Sequence, residues 1–203
     1  MDFITLDNAS DDQFDDAQLK WFDAEIERVI TNPDIHTLVL GMHKALPDSL
    51  STGHSMNDSA QGIASGRAVY KRLVDLRNRS NKNVYVLASH SHFYLEDVYN
   101  TACRRGHPET ILPGWIMGTA GAVRYHLPDG IKESPKAQSD TYGYLLGEAS
   151  ADGKIFFSFK PIYEKDIPEQ TVSRYTDAFV KSCFNGNHSS YKPEGPPQPP
   201  NCP

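Results

Sequence analysis

At 203 residues, with 38% hydrophobic and 23% charged residues, the chain is long enough to bury about 70% of the surface it would expose unfolded, and its composition excludes a collagen-like, coiled-coil or wholly disordered protein. No stretch approaches the roughly 18 apolar residues a membrane helix requires, and residues 1–10 have neither the basic start nor the apolar run of a signal peptide. The formal charge of −6 argues against nucleic acid and against membranes as partners, because both nucleic acid and anionic lipid select basic surface.

Much of the acidity is local: nine acidic residues fall within the first 30, against Lys20 and Arg28. Residues 3–6 (FITL) read as a short strand. A helix then opens at Asp15, an N-cap candidate with Gln18 three positions on. Leu19, Phe22, Ile26, Val29 and Ile30 recur at helical spacing, so one face packs while the other carries the acids. The pattern stops before Asn32-Pro33. Residues 37–42 (TLVLGM) are a continuous apolar run, the signature of a strand covered on both faces. After a loop rich in Ser, Pro, Gly and Asp (46–59), a helix is expected over about residues 65–77, with Val69, Leu73 and Leu76 on one stripe. A turn at 80–83 leads into a second buried-type strand, 84–88 (VYVLA). Strand, helix, strand at this spacing is a right-handed parallel crossover. Beyond residue 110 the texture becomes β-rich. Residues 142–147 and 154–160 read as an antiparallel hairpin about an Ala-Asp-Gly turn, which implies a second sheet layer. A last helix is expected over 169–182, and residues 189–203, with six prolines, read as an extended tail.

The crossover delivers His43 to the exit of one strand, and His90 and His92 to the exit of the next. Ligands of open α/β sheets bind beyond the carboxyl ends of the strands, so the topology itself gathers three imidazoles at the functional edge. His90-Ser91-His92 is the sharpest local motif, since side chains two apart in an extended segment face the same way and converge on one metal or on two adjacent ones. The bland alternative is a pair of surface or hydrogen-bonded histidines. Cys103, Cys183 and Cys202 form no C-x-x-C pair and no zinc-finger spacing. Should an upstream signal direct export to an oxidising compartment, a Cys183–Cys202 disulfide is open to the chain. Four N-x-[ST] sequons, at Asn8, Asn57, Asn78 and Asn187, are what an Asn- and Ser-rich chain contains by chance.

Met42-His43-Lys44 after a buried strand, Ser65-Gly66-Arg67 and a helix, then the run from Val84 to Tyr94 with its H-x-H, resemble the second half of a calcineurin-like metallophosphoesterase. Residues 14–22, with Ala17-Gln-Leu-Lys-Trp21, resemble the helix that precedes the lone histidine in that family, and the likeness covers about residues 3–125. It implies the α/β class in its αββα sandwich form: parallel strands with crossover helices, an antiparallel second sheet, and residues 1–188 as the carboxyl-terminal part of the domain. It also implies two divalent ions (Zn, Fe or Mn) about 3.5–4 Å apart, with a bridging hydroxide attacking a phosphate ester. His43 and His90 would share one ion and His92 would bind the other. His54, in a loop comparable to one that carries a substrate-facing histidine in purple acid phosphatases, would contact a phosphate oxygen or the leaving group. The family places Gly before the first histidine of G-H-x-H, where this chain has Ser89.

The family's D-x-H, G-D-x-x-D and G-N-H-[DE] motifs, which supply the bridging carboxylate, have no usable counterpart. Asp34-Ile-His36 enters a strand instead of leaving one, and Gly186-Asn-His188 follows the other ligands. Three neutral imidazoles cannot offset the charge of two adjacent dications. The expectation is therefore a phosphoric ester hydrolase incomplete and inactive alone, holding no metal by itself, prone to association, and completed by a chain that supplies the missing half. The alternatives are a mononuclear three-His zinc hydrolase and a non-enzymatic remnant or interaction module.

Overall fold

A computed structural model of the chain describes residues 1–188. The tail expected over 189–203, which includes Cys202, lies outside the described residues. β1 (Asp2–Leu6) pairs in parallel with β2 (Thr37–Met42), and β2 pairs in parallel with β3 (Asn83–Ala88). The sheet continues through β5 (Gly114–Met117), parallel to β3, and through β4 (Tyr94–Glu96) and β6 (Ala137–Gln138), which join antiparallel, in the order β1-β2-β3-β5-β4-β6. β7 (Tyr142–Ala149) and β8 (Ile155–Ile162) form a separate antiparallel two-stranded sheet. The protein is thus α/β, with a mixed, mostly parallel sheet and a hairpin apart from it.

The alternation of side chains across the sheet sorts the layers. Leu38, Leu40, Val84, Val86 and Ala88 join one buried cluster with Phe22, Ile26 and Val29 of α1 (Asp16–Thr31) and Val69, Leu73 and Leu76 of α2 (Ala60–Ser80). On the opposite face, Tyr85 and Trp115 meet Phe157, Tyr94 stacks on Phe159 at 4.1 Å, and the Ile155 amide donates to the Tyr85 hydroxyl. The hairpin is therefore a layer laid on the sheet. β1 is an edge strand, and its Phe3 is 70% exposed.

The boundaries of α1 and β2 match the sequence reading. Asp15 caps α1 through its carboxylate, which accepts from the Gln18 amide. α2 differs, beginning five residues earlier than its apolar stripe suggested. Ser59 caps it, accepting from the Gly62 amide, and its glycines are imposed by packing: a Cβ at Gly62 would strike the Asp12 carbonyl, and one at Gly66 the Pro47 ring. The expected single helix over 169–182 is two, α3 (Glu169–Tyr175) and α4 (Asp177–Gly186), broken at Thr176. That residue takes a left-handed backbone and caps α4 with its hydroxyl. The Cys183–Cys202 pairing is also corrected, since Cys183 carries a free thiol and it is Cys103 that is disulfide-bonded.

Leu40 is fully buried at the middle of β2. Leu40→Ala is expected to cost about 2–5 kcal/mol through lost burial and a cavity, read as a lower urea midpoint at unchanged slope.

Candidate functional site

The register that ends β2 and β3 together, Met42 opposite Ala88, sets the site. Just past it the His43 carbonyl accepts from both the Ser89 and His90 amides, at 3.0 and 2.7 Å. Ser89 lies on ordinary backbone, because the left-handed non-glycine residues are Asp12, Asp48, Asn81, Asp97, Asp140 and Thr176. A serine there carries no left-handed strain. Ser91 points inward, buried, its hydroxyl 2.9 Å from that of Ser51, while His90 and His92 on either side of it stay partly exposed.

His90 places Nδ1 2.8 Å from Nε2 of His43 and Nε2 3.1 Å from Nδ1 of His54. A neutral imidazole has one N–H and one lone pair, so His90 donates to one neighbour and accepts from the other. His92 stands apart. Its ring stacks on Tyr125 at 4.3 Å, and Tyr125 stacks in turn on His54 at 5.3 Å. The Nδ1–H of His92 donates to the Val123 carbonyl at 2.8 Å, which leaves Nε2 as its acceptor. A ring fixed through one nitrogen by a carbonyl, with the other nitrogen outward, is the arrangement that orients metal-ligating histidines.

Three further residues build the site. Asn8, fully buried, accepts from the amides of His43 and Lys44 with its side-chain oxygen and donates to the Lys44 carbonyl. It fixes the strand exit. Lys44, 8% exposed, puts its ammonium against Asp12 and 3.6 Å from Asp58. Gly118 admits the H-x-H turn, because a Cβ there would run into the carbonyl oxygens of Ser89 and Ser91. Lys44 stood in the sequence beside His43. Asn8 and Gly118 had no signal there beyond a chance sequon and one glycine among 14.

The two partial text matches to the missing motifs lie elsewhere. His36 precedes the amino end of β2, across the sheet from His43. His188 is bound by Asp140 and Arg124, a clasp that ties the end of α4 to the segment before β7.

Burial first, then the charges of His54, His43, Lys44 and His92, pushes the pKa of His90 down to about 4, and burial lowers that of His54 as well. His90 and His54 are therefore held neutral near pH 7, the form in which imidazole binds metal. His43 and His90 fit ligation of one shared ion. Two nitrogens on one tetrahedral ion stand about 3.4 Å apart, roughly half an ångström more than the contact they now make. A two-ion centre does not fit this chain alone, because the carboxylates beside the cluster, Asp12 and Asp58, are turned to Lys44. Among the described residues no three of His, Cys, Asp or Glu are placed to hold one ion.

Because the folded-state pKa of His90 lies below that of an unfolded histidine, protonation favours unfolding. In chelator, stability is expected to fall as pH drops from about 6.5 toward about 4, and His90→Gln should flatten that window in pH-dependent denaturation. Gly118→Ala is expected to shift the imidazole resonances of His90 and His92 and to cost about 1–3 kcal/mol by overpacking.

No family model, no curated protein and no solved structure matches the chain.

Proposed function

We propose that the chain carries the imidazole side of a metal-dependent phosphoric ester hydrolase: His43 and His90 share one divalent ion, His92 ligates a second, and His54 faces the substrate. The observation that carries this reading is the contact between the ring nitrogens of His43 and His90, at the carboxyl ends of two adjacent parallel strands. Bound there, the ions would supply Lewis acidity toward a phosphoryl oxygen and a hydroxide nucleophile at neutral pH. The chain's own part is to hold His90 neutral by burial, to fix the strand exit through Asn8 and the His43 carbonyl, and to offer His54 as a hydrogen-bonding group beside His90. The bridging carboxylate comes from a partner polypeptide bearing D-x-H, G-D-x-x-D and G-N-H motifs. The exposed edge of β1 supports such an addition, because β1 leads directly into Asn8 and the site.

The test is complementation. The chain co-expressed with an amino-terminal half carrying those motifs should bind about two ions and hydrolyse p-nitrophenyl phosphate. His43→Ala, His90→Ala and His92→Ala should each lower metal content and reduce the rate about 100-fold or more. His54→Ala should reduce the rate about 100-fold with metal content intact. One tightly held zinc with unaided activity would establish the mononuclear alternative, and neither metal nor activity under complementation would leave the interaction module.

A further inference from the structure

A concave site lies against α2, lined by none of the imidazoles: a cavity of about 490 Å³ lined by Arg67, Ala68, Tyr70, Lys71, Val74 and Arg104, with Asp48 at one wall. Its volume falls in the range of small-molecule sites. Cations outnumber anions in it. Asp48 is the lone carboxylate, buried on a left-handed backbone, and both its oxygens are taken by Arg67 at 2.9 Å. Lys71 turns to Asp75 on its own helix.

Arg104 is the group left over. Its guanidinium lies 3.6 Å above the Tyr70 ring, its side chain is 15% exposed, and its nearest carboxylate oxygen, on Asp48, is 3.7 Å away, beyond hydrogen-bond reach. Its Nε is buried without a hydrogen-bond partner. The Tyr70 hydroxyl does not answer it, since it donates to the Thr110 carbonyl and accepts from the Leu112 amide. A buried guanidinium stacked on an aromatic ring, with donors to spare, is a preformed receptor for an oxyanion. Of the remaining walls, Ala64, Ala68 and Val74 are apolar and Thr110 is polar. We infer that this cavity binds a small organic oxyanion, its phosphate or carboxylate head on Arg104 and its apolar body along α2.

Phenyl phosphate and benzoate are the probes, titrated by calorimetry into the full chain and into His90→Gln, which removes the candidate metal site and leaves the cavity. Saturable binding with equal affinity in both backgrounds is expected. Arg104→Gln should weaken it about tenfold or more, the loss of one charge-assisted contact. Ala68→Phe, which fills the cavity and keeps every charge, should abolish it, with circular dichroism verifying that each variant is folded. Preference for phenyl phosphate assigns a phosphorylated ligand, and preference for benzoate a carboxylate. Absence of saturable binding, or binding that survives Ala68→Phe, overturns the proposal. Binding lost in His90→Gln but kept in Arg104→Gln places the anion at the imidazoles and likewise overturns it.

Discussion

The parallel pairing of β2 with β3 is the constraint on which the site depends. With Met42 opposite Ala88, the two strands end level and the chains leave the sheet side by side. The His43 carbonyl then takes the first two amides beyond β3, so the pairing persists into the turn that carries the H-x-H. A slip of one residue would reverse which side chains of β2 face the helices. It would also part His43 from His90. Both faces of this pair are covered, by α1 and α2 on one side and by the hairpin on the other, which fixes the register through burial.

Around that constraint, the imidazoles are held by contacts distant in sequence. Asn8 reaches across from the end of β1 to the backbone at 43 and 44, Ser51 anchors Ser91, and Gly118 makes room for the turn. Buried backbone groups left without such partners would each cost about 1–3 kcal/mol. Partial burial depresses the basicity of His90, so its charge state follows from packing first and from its neighbours' charges second.

Charge sets the limit of what this edge does alone. The imidazole cluster brings no negative charge of its own, and the acids Asp12 and Asp58 already serve Lys44. A centre of two dications demands negative charge brought from outside the cluster. The cavity against α2 has the opposite character: an excess of guanidinium over carboxylate, which suits an anion and needs no metal.

Local signals in the sequence were enough for the elements that rest on periodicity and capping: α1 with its Asp15 cap, the apolar runs of β2 and β3, the crossover that makes them parallel, and the hairpin near residues 142–160. From these it followed that His43, His90 and His92 leave the same edge. Contacts between distant segments were not legible. Only packing drew α2 back through Gly62 and Gly66 to Ser59, broke the last helix at Thr176, brought His54 to His90, set His92 behind Tyr125, and made Asn8 and Gly118 part of the site. Periodicity and caps are properties of neighbouring residues and survive in one dimension. The spacing of two ring nitrogens depends on a close-packed interior in which many segments meet, and that exists only in the folded chain.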